Sequence, residues 1–287
     1  MHKHALRAAA LALVATVAFA APAAAKTQHY VSLGDSYATG FQPGKGNTRD
    51  GFAYQTVTKA RKKGYDLKLV NFGCGGATTT SIIERKGCPA AARGPGGEVY
   101  TSTQADAAAK FLRKHRADVV LITVSIGGND VTACARGGQD PVACVGEAVQ
   151  GIQTNLRKLN RKLRSAAGSK ARIVGTTYPD VILGQWVGPN PNPDLAKLSV
   201  VAFKNLINPA LEKAYAAANG KFADVTAATG AYGSFEETAM IAAYGVIPLP
   251  VAKACEYSYY CEFRDIHART NGYRLIAQLI ANALPLR

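Results

Sequence analysis

The sequence predicts a three-layer α/β/α sandwich around a central, mostly parallel sheet of about five strands. Short apolar, β-branched runs recur along the chain, at residues 30–33, 67–70, 119–126 and 173–177, with a weaker one at 222–225. Such runs, without polar alternation, are typical of strands buried on both faces of a parallel sheet. Helical patterns lie between them, and this alternation of strands and helices predicts the sandwich.

The clearest helical pattern covers residues 145–163. Its apolar residues recur three or four positions apart, at Val145, Val149, Ile152, Leu156, Leu159 and Leu163. The opposite face is basic, with Arg157, Lys158, Arg161, Lys162 and Arg164. A basic face of this kind is compatible with nucleic-acid binding, but no aromatic residues interleave with it. We therefore expect a solvated helix face and no nucleic-acid partner.

The first 25 residues have the pattern of a secretory signal peptide. A short basic segment opens the chain, an Ala/Leu/Val-rich run covers residues 8–21, and small residues lead up to Ala25. The alternative, a membrane anchor, is disfavoured because the run is shorter than the ~20 residues that span a bilayer. We expect cleavage after Ala25, secretion, no transmembrane span, and a single domain over residues 26–287.

The charge balance is strongly basic. The full chain has a formal net charge of +15, and removal of residues 1–25 takes away Lys3 and Arg7 and no acid, which leaves +13. A positive charge raises the encounter rate with anionic partners, so an anionic lipid surface or an acidic cell-wall polymer is one expectation. The other is a basic secreted protein with no such partner. We expect a monomer.

Six cysteines follow the signal segment, and an even number in this context predicts disulfides. They lie in three local pairs, so sequential pairing is expected: Cys74–Cys88, Cys134–Cys144 and Cys255–Cys261. The chain has no CxxC motif, and its histidines are too few for zinc ligation at the usual spacings. We expect no metal site.

Four polar, glycine-containing blocks occupy informative positions. Three follow predicted strands, and the fourth precedes the last apolar helix. In order they are Gly34-Asp35-Ser36, Gly73-Cys74-Gly75-Gly76, Gly127-Gly128-Asn129-Asp130 and Asp265-Ile266-His267. Ligands of open α/β sheets bind beyond the carboxyl ends of the strands. These blocks are therefore expected to share one site, with Asp35 and Asp130 hydrogen-bonded to local backbone in turns.

The residue types in these blocks suit acyl transfer, which needs a nucleophile, a base and hydrogen-bond donors for an oxyanion. Ser36 is the candidate nucleophile, and His267 is the candidate general base. The Gly76 backbone N–H and the Asn129 side chain are candidate oxyanion donors. The other histidines after the signal segment, His29 and His115, stand before the first strand and within a charged cluster.

The chain lacks a GxSxG motif, which disfavours the α/β-hydrolase arrangement. The ordered Ser36, Gly76, Asn129 and His267 blocks resemble those of the SGNH or GDSL hydrolase family, over about residues 30–281. The resemblance implies a flavodoxin-like sandwich and ester hydrolysis without a metal or organic cofactor. It also implies an oxyanion hole formed by the Ser36 N–H, the Gly76 N–H and Asn129. The signal segment and cysteines resemble the secreted actinobacterial lipase and esterase branch.

One position departs from the family pattern, which has an aspartate three residues before the histidine. Here that position is Arg264, and Asp265 stands only two residues before His267. Some relatives orient the histidine with a main-chain carbonyl instead. Both possibilities stay open: a Ser–His–Asp triad that includes Asp265, or a dyad.

Three functions are compatible with these features. The first is a lipase or carboxylesterase acting on small-molecule or lipid esters, and the second is an esterase that removes acetyl groups from polysaccharides. The third is a non-catalytic binding protein, which has no need of all four blocks. Two apolar segments, 181–187 and 240–251, are expected to border the cleft and to favour medium or long acyl chains.

Overall fold

The computed structural model describes residues 27–134 and 140–287, so the predicted signal peptide lies outside the described residues. The strands are β1 Gln28–Gly34, β2 Phe41–Gln42, β3 Gly46–Asn47, β4 Leu67–Asn71, β5 Val119–Ser125, β6 Arg172–Thr176, β7 Lys221–Ala223, β8 Thr238–Ile241 and β9 Gly245–Pro248. The α-helices are α1 Ser36–Thr39, α2 Phe52–Arg61, α3 Ser81–Glu84, α4 Gln104–Lys114, α5 Gly128–Thr132, α6 Pro141–Ala167, α7 Pro193–Ala202, α8 Asn208–Ala216, α9 Val225–Ala228, α10 Leu249–Tyr257, α11 Tyr260–Phe263 and α12 Thr270–Asn282.

Five strands form one sheet in the order β4-β1-β5-β6-β7, and every pair is parallel. Helices cover both faces, so the predicted fold class is confirmed. The fifth strand ends at Ala223, two residues earlier than predicted. The cause is Asp224, whose carboxylate accepts the Ala227 N–H at 2.8 Å and caps α9.

The two helical layers bury opposite faces of the sheet. Helices α4, α6 and α8 cover one face, where Val31 and Leu33 of β1 pack against Leu112 and Leu156. Helices α2 and α12 cover the other face, where Tyr30 packs with Phe52 and Ile276. Full burial of such side chains stabilises the fold by about 1.5–3 kcal/mol each. Both faces of β1 are thus buried, and this internal strand, between β4 and β5, is a rigid base for the residues that follow it.

A third, smaller apolar cluster lies outside the sandwich. It contains Leu183 and Val187, the β8–β9 hairpin residue Ile247 and the α10 residue Val251. The two segments expected to border the cleft, 181–187 and 240–251, therefore pack against each other. Leu183, Val187, Ile247 and Val251 are buried in this local core, whereas Met240 and Val246 of the hairpin are 70% and 62% exposed.

The six cysteines form the pairs that their spacing indicates: Cys74–Cys88, Cys134–Cys144 and Cys255–Cys261. The first bridge joins the segment after β4 to the segment that leads to the 3₁₀ helix Ala90–Ala92. The third joins α10 to α11, a few residues before His267. Across residues 27–134 and 140–287, the structure has no helix with the length and apolar character of a membrane span.

Candidate active site

The order of the strands brings three of the sequence blocks together. Strand β1 lies between β4 and β5, so Ser36 follows the central strand of the three. Gly76 follows the strand on one side, and Asn129 follows the strand on the other. The connection after β1 runs to β4 on one side, and the connection after β5 runs to β6 on the other. Open α/β sheets form their clefts where the connections of neighbouring strands leave in opposite directions.

The exit of β1 is fixed by backbone constraints. Gly34 has φ +140°, and a Cβ atom there would lie 2.0 Å from the Ser125 carbonyl oxygen. Only glycine fits this close approach. The buried Gln104 side chain accepts the Gly34 N–H at 2.7 Å and donates to its carbonyl at 3.1 Å. The strand therefore ends in a defined direction, immediately before Ser36.

Ser36 is the first residue of α1 and contacts the distant histidine. The Ser36 Oγ lies 2.8 Å from His267 Nε2, and His267 Nδ1 lies 2.7 Å from Asp265 Oδ1. The His267 side chain is 14% exposed and that of Asp265 is 26% exposed. These hydrogen bonds give the three side chains the arrangement of a nucleophile, a base and a carboxylate that orients the base.

Asp265 reaches His267 Nδ1 although it lies only two residues earlier in the chain, because the backbone forms a local turn. Its Oδ1 also accepts the His267 backbone N–H at 2.9 Å, the hydrogen bond of an Asx turn. Arg264, which ends α11, is in the left-handed region at φ +54°. Its guanidinium donates to the carbonyls of Gly184 and Val187. A side-chain carboxylate, rather than a main-chain carbonyl, therefore faces Nδ1.

The backbone around His267 is tied to two other parts of the chain. The Tyr259 N–H donates to the His267 carbonyl at 3.0 Å. The Tyr37 hydroxyl donates to the Ile266 carbonyl at 2.6 Å. Since Tyr37 directly follows Ser36, this bond links the helix of the serine to the loop of the histidine. Nothing in the sequence pattern singled out Tyr37, because it reads as one more apolar residue of a short helix.

Burial sets the protonation of two groups in the site. It lowers the pKa of His267 below its usual 6.5, while the Asp265 carboxylate partly opposes the shift. His267 is therefore neutral at pH 7, the form in which Nε2 can accept a proton. Burial also raises the pKa of Asp35 to about 7, against the hydrogen bonds from the Tyr178 hydroxyl and the Tyr37 N–H.

Three candidate hydrogen-bond donors belong to residues that line the same cavity as His267. Gly76 has φ +74°, and its position has open space where a Cβ would be. Within the described chain, the backbone N–H groups of Ser36 and Gly76 have no hydrogen-bond acceptor. One Asn129 Nδ2 hydrogen is donated to the Ala77 carbonyl at 2.8 Å, and the amide has a second.

These residues line one cavity of about 460 Å³. Its apolar wall is formed by Phe41, Ala91, Ala92 and Ile266, and the Phe41 ring centroid lies 4.5 Å from that of His267. Neither 181–187 nor 240–251 contributes to the lining, so the expectation that they border the cleft is wrong. Hydropathy does not show which part of the molecule covers an apolar segment, and Met240 and Val246 stay exposed.

Other candidates lie elsewhere or differ in their contacts. His29 is in the first half of β1 and His115 ends α4, and their rings lie 4.8 Å apart. Asp130 accepts hydrogen bonds from Thr79, 51 residues away, rather than only from its own turn. Within residues 27–134 and 140–287, no three His, Cys, Asp or Glu side chains are grouped as a metal site would require.

Comparison with known families gives one match over most of the chain. The model of the GDSL-like lipase/acylhydrolase family matches residues 32–275, which contain all four sequence blocks. The resemblance noted from the sequence is confirmed. No curated protein sequence matches the chain.

Two solved structures illustrate the similarity of the fold. One is the lipase Lip_vut3 from a goat rumen metagenome, with 17% identity, a TM-score of 0.55, and coverage of 89% of this chain and 97% of that one. The other is an extracellular lipase from Streptomyces rimosus, with 17% identity, a TM-score of 0.52, and coverage of 89% and 99%. At this identity the likeness shows the fold.

Proposed function

The chain belongs to the GDSL-like lipase/acylhydrolase family, and on that premise we propose that it is a secreted serine ester hydrolase. The observation that carries the proposal is the continuous hydrogen-bonded series from Ser36 Oγ through His267 to Asp265, at 2.8 and 2.7 Å. It lies in a cavity with unpaired N–H groups beside it. Nucleophile, base and oxyanion donors are the parts that acyl transfer requires.

The reaction starts with His267 neutral. Its Nδ1–H is donated to Asp265, which leaves the Nε2 lone pair directed at the Ser36 hydroxyl. As Oγ attacks the ester carbonyl carbon, the hydroxyl proton passes to Nε2. The imidazolium that forms is stabilised by the adjacent carboxylate.

The carbonyl oxygen becomes an oxyanion in the tetrahedral intermediate. The N–H groups of Ser36 and Gly76 and the free Asn129 amide hydrogen stabilise this charge. When the intermediate collapses, the alcohol leaves with the proton from Nε2 and the acyl group stays on Ser36. Water then repeats the sequence: it gives a proton to Nε2 as it attacks the acyl carbon. Nε2 returns that proton to Ser36 Oγ as the bond to the acyl group breaks and the carboxylic acid is released.

The proposal is tested by covalent labelling. A fluorophosphonate probe should modify the protein with one-to-one stoichiometry, and peptide mapping should place the adduct on Ser36. Labelling should stop in the His267→Ala variant, since the hydroxyl loses its base. Modification at another residue, or hydrolysis of nitrophenyl esters by fully labelled protein, contradicts the proposal.

Asn129→Ala should lower kcat by roughly 10²–10³-fold, because one oxyanion donor is lost. KM for a nitrophenyl ester should change little, since the hydrogen bond strengthens as charge develops. Steady-state kinetics check this. A raised KM with an unchanged kcat means that Asn129 binds substrate and does not serve the oxyanion.

We propose that the apolar wall of the cavity holds the acyl chain. Ala92 packs over Gly75, and both line the cavity. Ala92→Leu should displace two or three methylenes at about 0.8 kcal/mol each, lowering kcat/KM for an octanoyl ester roughly 10- to 50-fold while sparing the acetyl ester. The matched control is Ala90→Leu, an exposed position outside the lining. Equal losses for both esters contradict this placement, and faster cleavage of acetyl esters by the unmodified protein favours the polysaccharide deacetylase.

The net charge of +13 after signal cleavage supports action at an anionic lipid surface. In the same assay, the octanoyl ester is presented in anionic and in zwitterionic vesicles. The rate should be higher on the anionic vesicles and should fall as salt rises. Equal, salt-independent rates on both contradict a role for the charge.

A further inference from the structure

The loop that carries Gly76 is held by a network that the catalytic scheme does not use. Thr79 lies three residues beyond Gly76 and is fully buried. Its N–H donates to Asp130 Oδ2 at 2.9 Å, and its hydroxyl donates to Asp130 Oδ1 at 2.5 Å. On the other side, Asn155 of α6 donates to the Thr79 hydroxyl at 3.2 Å. The threonine hydroxyl is thus both a donor and an acceptor.

Asp130 is adjacent in sequence to Asn129, and both belong to the short helix α5. The Asn129 side chain donates to the Ala77 carbonyl at 2.8 Å. Helix α5 is therefore hydrogen-bonded to the loop that carries Gly76 at two residues, Ala77 and Thr79. Gly76 lies immediately before these points. Gly76 is exposed and lines the cavity, its backbone is left-handed, and nothing lies within 4 Å of the place where a Cβ would be.

We propose that Thr79 and Asp130 are positioning residues that fix the Gly76 N–H relative to the Asn129 amide. The inference rests on the proposed oxyanion hole. Two donors act together on one oxygen only if their separation is fixed in advance. In this structure that separation is set by α5, which supplies one donor itself and holds the loop that supplies the other. A displacement of about 1 Å in such a group can cost about 10²-fold in rate.

The test is a matched pair of threonine substitutions. Thr79→Val keeps the shape and the backbone N–H but removes both side-chain hydrogen bonds, and it should lower kcat roughly 10- to 100-fold with KM within about twofold. Thr79→Ser restores the hydroxyl and should recover most of kcat. The control is Thr80→Val, since Thr80 is exposed and its hydroxyl accepts a bond from Asn155 without touching Asp130. It should behave like the unmodified protein.

A binding measurement separates positioning from a purely structural role. An alkyl boronic acid forms a tetrahedral, anionic adduct with the serine, so its affinity should fall in Thr79→Val by the same factor as kcat. The affinity for the carboxylic acid product should not change, and the melting temperature of Thr79→Val should match that of Thr79→Ser. Asp130→Asn, which replaces an acceptor by a donor facing Thr79, should reproduce the kinetic effect.

Three outcomes overturn the inference. The first is an unchanged kcat in Thr79→Val, and the second is a loss in kcat that Thr79→Ser does not restore. A loss shared equally by boronic acid and product affinity also overturns it, because the loop would then serve general binding. Failure of the proposed function looks different. In that case Ser36→Ala keeps its activity, whatever the Thr79 variants do.

Discussion

Ser36→Ala is expected to lower kcat for a nitrophenyl ester by about 10⁶-fold, the effect of removing the nucleophile from comparable serine hydrolases. The methyl group left behind cannot attack the carbonyl carbon. The variant also lacks the hydroxyl that lies 2.8 Å from His267 Nε2 in the unmodified protein, so Nε2 has no proton to accept. The oxyanion donors remain, so some rate above that of water survives. The measurement is kcat of purified variant with a fluorophosphonate-treated sample as the blank.

The fold should not change, because Ser36 is half-buried and its Oγ contacts only the histidine among the described side chains. Ser234→Ala, at an exposed position outside the cavity lining, is the control and should keep full activity. Retention of more than about 1% of kcat in Ser36→Ala, with contamination excluded, is incompatible with a nucleophilic role.

Asp265→Asn should have the second largest effect, about 10⁴-fold in kcat, as the same change has in Ser–His–Asp proteases. In the unmodified protein one oxygen, Asp265 Oδ1, accepts both the His267 backbone N–H and the Nδ1–H. An asparagine oxygen at that point lacks the negative charge that stabilises the imidazolium, and a flipped amide presents NH₂ to Nδ1 and favours the tautomer with the proton on Nε2, which cannot take the Ser36 proton. Loss of about tenfold or less points to a dyad, with the carboxylate dispensable. Asp66→Asn, at an exposed position, is the matched control.

The pH profile adds a second, independent expectation. Burial lowers the pKa of His267, and the Asp265 carboxylate raises it part of the way back. Catalysis needs neutral His267, so kcat/KM in the unmodified protein should fall as the pH drops through a value below about 6.5. In Asp265→Asn the opposing carboxylate is gone. The fall of kcat/KM at acidic pH should therefore occur at a still lower pH in this variant, although its maximal kcat/KM is far smaller.

The sequence carried most of the information needed for the site. Ser36, Gly76 and Asn129 could be placed because each directly follows a buried apolar run, and parallel strands put their carboxyl ends on one edge. The orientation of His267 could not be predicted, since it depends on an Asx turn and on the left-handed Arg264 before it. Both are decided by the backbone path between α11 and α12.

Contacts between distant segments were the least predictable. Thr79 and Asp130 are 51 residues apart, and each also suits a local turn, so nothing in the pattern pairs them. The apolar segments 181–187 and 240–251 were assigned to the cleft for a similar reason. A separate small core buries much of 181–187 and the residues Ile247 and Val251, while Met240 and Val246 are exposed, so their hydrophobicity did not require a substrate groove.

The placement of β1 between β4 and β5 has a consequence for how such a protein can change over evolutionary time. Three of the candidate site residues follow neighbouring strands, so the points where their loops begin have the separation of roughly 4.8 Å that backbone hydrogen bonds impose on any sheet. That separation does not depend on which apolar side chains fill the layers above and below. During evolution, nearly all of the core side chains can therefore be replaced by a series of volume-conserving substitutions. The spacing of the strands, which the main chain determines, stays the same.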